Sequence, residues 1–374
     1  MPEIKADLAE PPGRRGRLRQ GFTTGTAAAA AALAACEILL GRPGPDQVIV
    51  RLPDGRDLTV KIADSRALSL GEARALVIKD AGDDPDVTNK ARIGALVRRR
   101  TGAGAINIIG GPGVGRVTKP GLALAPGQWA INPGPQAMLR ANLTPKLTAG
   151  LPGLEVEIFV EKGEELARQT LNPRLGIVGG LSILGTTGLV KPFSNEAYLA
   201  TIESALNLAR AAGLEEVVLT TGRQSENLIM AARRDLPDEA FIQVADFFGD
   251  SLEMTAARSF AAVGLAVFFG KAVKQAAGHR NTHAHRHDQD LAALAGWLEP
   301  ETGRELAARL EQALTARGAL EILREAGLPA LAARVAGRAL AQARRFAGPN
   351  PRLWLTMFDY DNGQVLANQT LERP

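Results

Sequence analysis

Four short stretches of this chain carry the residue types that do chemistry. The stretch from Asn172 to Pro192 holds five glycines and three hydroxyl residues, with no charge between Arg174 and Lys191. Leu175–Val178 reads as a short buried strand. Gly179, Gly180, Ser182, Gly185, Thr186, Thr187 and Gly188 then read as a loop whose bare main chain can lie flat against a bound molecule. A helix begins near Ser194 and Asn195. Strand, glycine loop and helix in that order form a frequent ligand-binding device in α/β proteins.

In Gly21–Ala30, three threonines (Thr23, Thr24 and Thr26) meet the start of an alanine-rich helix. Free amide hydrogens there favour a carboxylate or a phosphate, and simple capping needs only one of the three hydroxyls. Lys79–Asn89 carries Asp80, Asp83, Asp84 and Asp86, carboxylates suited to a cation or to proton transfer. Against that stands a local role at the start of a helix over Val87–Arg100. There Asp84 caps, Pro85 opens the first turn and Asp86 complements the dipole. Gly110–Gly121 follows an apolar strand, Ala105–Ile109, and adds Arg116 and Lys119 as anion partners. Its glycines lack the dinucleotide spacing. All four histidines (His279, His283, His285 and His287) lie near Asp288. Arg280 and Arg286 interrupt them with positive charge, so an exposed loop is expected rather than a metal site. One histidine acting alone can still carry a proton.

The elements that must position these residues fall into two rhythms. Ala27–Leu40 reads as a helix stopped by Gly41 and Pro43. Gln47–Leu52 and Arg56–Ile62 alternate as strands around the turn signal Asp54-Gly55. Ala73–Lys79 and Glu155–Val160 also alternate, so the first part of the chain is expected to be α+β. Further on, Leu175–Val178, Glu216–Thr220, Ala240–Ala245 and Leu265–Phe269 read as strands. Helical patterns separate them at Glu196–Ala212, Ser225–Arg234 and Ser251–Val263, which predicts a parallel sheet. Asp290–Phe346 reads as helical scaffold. Leu353–Phe358 and Gln364–Ala367 flank Asn362-Gly363 as a terminal hairpin.

At 374 residues the chain exceeds one ordinary core. A net charge of +4 suits an acidic substrate but is too small to argue for nucleic acid, and an aromatic content of 4% argues against a base-stacking surface. Cys36 is the single cysteine, so no intrachain disulfide can form, which fits a reducing, cytoplasmic compartment. The apolar runs Ala27–Ala35 and Phe260–Gly270 fall short of the roughly 18 residues that a membrane helix requires. The basic N-terminal stretch has no apolar region behind it, so no secretion signal is expected there, and no membrane partner is expected of the chain. Arg14, Arg15, Arg17 and Arg19 read as a solvated arm.

Taken in order, GFTTGTAAAA, KDAGDDPDVTN, GGPGVGRVTKPGL, AINPGPQAML, TLNPRLGIVGGLSILGTTGLVKPFS and AAGHRNTH resemble the cobalt-precorrin-5B C1-methyltransferase family of anaerobic cobalamin biosynthesis. The resemblance runs from Gly21 to about Asp290 and weakens in the C-terminal helices. It implies an α+β domain like the second domain of ribosomal protein S5 and a Rossmann-like α/β domain with a C-terminal helical segment. The expected boundaries are a flexible arm at 1–20, the α+β domain at 21–170 and the Rossmann-like domain at 171–270. The histidine loop, helical segment and hairpin take 271–374.

The implied reaction moves a methyl group from S-adenosylmethionine to C1 of cobalt-precorrin-5B, giving cobalt-precorrin-6A. The cobalt belongs to the substrate, and no protein-bound metal is expected. The donor is expected on Gly179, Gly180, Ser182, Gly185, Thr186, Thr187 and Gly188. Thr23, Thr24, Thr26, Arg116, Lys119 and Arg174 are expected to meet the substrate's carboxylates. Asp83 and Asp86 are the candidate catalytic carboxylates, with His283 in reserve. A homo-oligomer is compatible with the sequence. The chain departs from the family pattern at Ala27 (commonly cysteine), at Glu161-Lys162, at Phe268 and at Ala284-His285, which leaves room for a divergent tetrapyrrole substrate. Two other classes stay open. One is a non-catalytic cobalt or tetrapyrrole carrier using the histidines. The other is a phosphoryl-transfer enzyme, against which stands the lack of a Gly-x-x-x-x-Gly-Lys-Ser/Thr loop.

Overall fold

A computed structural model describes residues 18–101, 104–283 and 290–373. His285, His287, Asp288, Arg14, Arg15 and Arg17 lie outside the described residues. The chain divides into two compact units, Met1–Ser194 and Asn195–Pro374.

Unit 1 is built on a five-stranded sheet in the order Asp64–Ser69, Glu72–Ile78, Arg92–Arg99, Leu154–Val160, Ile106–Gly110. Neighbours are antiparallel except the last pair. The helix Thr24–Leu39 packs on the sheet and against a second helix, Pro133–Thr148. Every residue from Thr24 to Cys36 is buried. Alanine suits such a helix, because small side chains let neighbours approach on all sides. Burial also pushes the Cys36 thiol up to about 12, which keeps it protonated and inert.

Two expectations need correction here. The helix over Val87–Arg100 is instead a turn followed by the strand Arg92–Arg99. Ile93, Ala95 and Val97 alternate into the core. Arg98, on the other face, donates to Glu72, Glu155 and Glu157 on the adjacent strands. Period two and cross-strand charge pairs outweigh the helix-start signals of Asp84 and Pro85. The domain boundary expected at 170/171 falls at Ser194/Asn195. Three short strands hold 171–194 in unit 1: Ile177–Val178 pairs with Arg116–Val117, Gly180–Leu181 with Gly113–Val114, and Leu189–Val190 with Gly21–Phe22.

Unit 2 holds a sheet in the order Phe241–Gln243, Glu216–Thr220, Ala262–Phe268, Arg352–Phe358, Val365–Leu371. The first four strands are parallel and the last is antiparallel. The expected terminal hairpin is present, but it completes this sheet instead of forming a separate segment. Arg352–Phe358 takes the place in the parallel sheet expected for Leu175–Val178. Seven α-helices are described in this unit, three of them, Asp290–Glu311, Ala316–Glu325 and Ala332–Ala347, in the stretch read as helical scaffold. No described helix is long and apolar enough to cross a membrane.

Candidate active site

Within unit 1 the motifs converge. The loop 182–188 folds over the start of the helix Thr24–Leu39. Leu184 N–H donates to Thr24 Oγ1 at 2.8 Å, and Gly25 N–H donates to Leu184 O at 3.1 Å. Thr26 Oγ1 donates to Gly188 O at 2.7 Å, and Thr23 Oγ1 caps the helix by accepting from Thr26 N–H at 3.2 Å. The three threonines are at most 5% exposed. The hydroxyls of Thr24 and Thr26 fasten the loop, while Thr23 caps the helix with its hydroxyl and holds Gly188 O with its main-chain N–H at 3.0 Å, so all three residues expected at substrate carboxylates are engaged within the protein.

The glycines are explained in the same way. A Cβ on Gly180 would lie 2.2 Å from Gly113 O, and one on Gly188 would lie 2.7 Å from Leu52 Cδ2. Gly185 is closed off by Thr23. Ser182 is buried, with its Oγ 3.2 Å from Asn172 Oδ1. The bareness of Gly180, Gly185 and Gly188 serves the protein's own packing, which leaves a rim of open main chain in the stretch where the donor is expected. Gly179, at φ +81°, has nothing within 4 Å of its Cβ position, and Leu184, Thr186 and Thr187 are exposed.

Arg116, Lys119 and Arg174 adjoin that rim. Arg116 is register partner of the exposed Val178, and its guanidinium stacks 3.9 Å from the Trp129 ring centroid. The Lys119 stem packs on Gly176, in the turn that also carries Arg174. The second helix begins at the rim as well. Asn132 N–H donates to Ile183 O at 2.9 Å, and a Cβ on Gly134 would lie 3.2 Å from Gly185 O. The sequence reading placed no element over Pro133–Thr148. Pro133 after Asn132 was the available signal of a helix start.

The aspartate loop joins the rim through the strand Gly21–Phe22, because Phe22 N–H donates to Asp80 O at 2.8 Å. Its carboxylates have distinct tasks. Asp80 takes both guanidinium ends of Arg19, which holds it below the usual carboxylate range. Asp83 Oδ2 accepts from the Arg19 main chain at 2.8 Å. Asp86 meets Lys79 Nζ at 2.6 Å and the amide and hydroxyl of Thr88. Burial alone would push Asp86 up, but the Lys79 ammonium and the Thr88 bonds outweigh it and hold it low. Lys79 is only 1% exposed, a buried cation that its strand-end position in the sequence did not reveal. Asp84 is half-buried and is the one pushed upward, first by burial and then by the charge on Asp86. It accepts from Phe193 N–H at 3.0 Å, where Phe193 stands at φ +55°.

In unit 2, His283 is half-buried and its main-chain N–H donates to Asn281 Oδ1 at 3.1 Å. His279 Nε2 lies 2.6 Å from Asp290 Oδ1, an orienting pair that the sequence grouped with the loop histidines.

Comparison with known proteins agrees with the motif order. The CbiD family model matches residues 12–192, and the model of the CbiD C-terminal domain matches 281–369. A curated relative, the cobalt-precorrin-5B C(1)-methyltransferase of Nitratidesulfovibrio vulgaris, is 45% identical over 370 residues, covering 95% of each chain. The protein of the same name from Burkholderia mallei is 46% identical over 292 residues, 77% of this chain and 79% of that one. A crystal structure described as cobalamin biosynthesis protein cbiD from Archaeoglobus fulgidus is 26% identical and covers 83% of this chain and 85% of that one. Its TM-score of 0.39 is too low to carry an argument about the fold. Identity of that degree along nearly the whole length, with both family models matched in sequence order, means that the chain belongs to the CbiD family.

Proposed function

We infer that this chain transfers a methyl group from S-adenosylmethionine to C1 of cobalt-precorrin-5B, giving cobalt-precorrin-6A in anaerobic cobalamin biosynthesis. The observation that carries this is the 45% identity, over 95% of the chain, to a relative named for that reaction. We expect it to work in the cytoplasm, as suits a biosynthetic enzyme whose described helices include none long and apolar enough to cross a membrane. The cobalt enters as part of the substrate.

The donor supplies an electrophilic methyl group on its sulfonium. What the protein must add is placement of the ring carbon and exclusion of water, and placement alone can supply ~7–11 kcal/mol. We assign the rim of unit 1 to the macrocycle. Exposed Val178 and Leu184 offer apolar contact to a flat ring. Arg116, Lys119 and Arg174 take its carboxylates. The main chain of Gly179 and the hydroxyls of Thr186 and Thr187 line the same rim. Asp83 and Asp84 steer charge that develops on the ring, while Asp86 and Lys79 hold their loop in shape. Of the described histidines, His283 is our candidate for a proton carrier.

The test is incubation with cobalt-precorrin-5B and donor bearing a deuterated methyl group. The expected product carries the label at C1 by NMR. Label at another carbon, or no transfer by folded protein, defeats the assignment.

A further inference from the structure

The carboxyl edge of the unit 2 sheet brings together a second set of groups with ligand chemistry. From Glu216–Thr220 the sheet extends to Phe241–Gln243 on one side and to Ala262–Phe268 on the other. Strand order therefore reverses at Glu216–Thr220, and open α/β sheets take their ligands at the carboxyl ends of strands at such a point.

The residues at this edge are specific. Thr221-Gly222 leaves Glu216–Thr220 and enters the helix Arg223–Ala232, whose start has no side-chain cap bond. Nothing lies within 4 Å of the position a Gly222 Cβ would take, unlike the packed glycines of unit 1. Asp246 follows the neighbouring strand, after Ala245 at φ +46°. Lys271 Nζ and Thr282 Oγ1 both bond to Asp246 Oδ1, the latter at 3.0 Å. Asp246 Oδ2 accepts no hydrogen bond from the described residues. Tyr198 stacks at 5.4 Å on Phe247, the residue after Asp246. Phe268 ends the third strand, partly exposed, and meets the exposed Tyr360 edge-on at 5.3 Å.

A carboxylate oxygen that can accept hydroxyl donors, open main chain on the adjacent strand's loop and an aromatic ring suit a nucleoside. A phosphate fits poorly, because the loop has a single glycine and Asp246 and Glu226 add negative charge. We propose that this edge binds the adenosine half of the methyl donor. Asp246 Oδ2 accepts from the ribose hydroxyls, the main chain at Gly222 lies along the nucleoside, and Phe268 offers a face to the base. The proposal rests on the reading of the chain as an S-adenosylmethionine-dependent enzyme, and it moves the donor off the glycine loop of unit 1.

The experiment is calorimetric titration of the full chain with S-adenosylhomocysteine, with adenosine as competitor, on the unaltered protein, Gly222→Val and Asp246→Asn. Gly222 has extended backbone that any residue adopts and a Cβ there meets nothing within 4 Å, so valine adds bulk to the open loop without backbone strain. The expected result is competition by adenosine and at least about ten-fold weaker binding in both variants, with the melting temperature of Gly222→Val unchanged. Uptake by Gly222→Val as tight as by the unaltered chain overturns the proposal and leaves the methyltransferase reading standing. No uptake of S-adenosylhomocysteine by the unaltered chain defeats both.

Discussion

Gly185 sits so close to Thr23 that a Cβ on the glycine would lie 2.4 Å from the threonine Oγ1. The loop and the helix start are therefore one packed object. Gly185 also stands at φ +128°, a conformation that side chains resist.

Gly185→Ala is accordingly expected to destabilise unit 1 by ~2 kcal/mol or more, through strain and overpacking together. Gly179→Ala carries only the strain of a positive φ, ~1 kcal/mol. Urea unfolding of the two variants measures the difference. Equal losses would show that Thr23 does not confine Gly185.

Asp86→Asn leaves the Lys79 ammonium buried without its counter-charge, and ~3–5 kcal/mol of stability should be lost at neutral pH. The folded Asp86 value lies below the ordinary ~3.9 of an aspartate. The pair's contribution is therefore complete above that value and disappears as pH falls through the lower folded one. Denaturation of both proteins across the acid range should show the gap between them closing. A gap that stays constant with pH would mean that the ion pair is not its source.

Asp84 behaves in the opposite sense. Its folded value is raised, so the native state binds the proton more tightly and stability falls as pH rises from the unfolded value through the folded one. Asn can still accept the Phe193 amide hydrogen but does not titrate. Asp84→Asn should be at least as stable as the unaltered protein at pH 7, with the advantage vanishing in acid. Destabilisation at pH 7 would show that the charge on Asp84 is needed for the fold.

Arg116→Gln should raise KM for the carboxylate-rich substrate about ten-fold with little change in kcat, because uniform binding is what is removed. Steady-state methyl transfer measures both constants. A fall in kcat alone would place Arg116 at the reacting carbon instead of at the ring's periphery.

The strands Gln47–Arg51, Glu216–Thr220 and Arg352–Phe358 were legible because alternation and turn residues act over a few positions. Arg92–Arg99 was not, because Asp84, Pro85 and Asp86 imitate a helix start, and only pairing with Glu72–Ile78 and Leu154–Val160 shows the period of two. The candidate site was legible as composition. The sequence located the threonines, the glycines and the aspartates, but each had two uses, and spacing does not choose between them.

By itself, then, the sequence determined the family, through six motifs in order, and the local character of most elements. Tertiary structure decided which unit owns 171–194, that the hydroxyls of Thr24 and Thr26 bond to the loop, and that Lys79 is buried against Asp86. The reason is range. Propensity and pattern act between residues a turn or two apart, whereas a hydroxyl finds its acceptor, and a glycine its close neighbour, across more than a hundred positions that only the folded chain brings together.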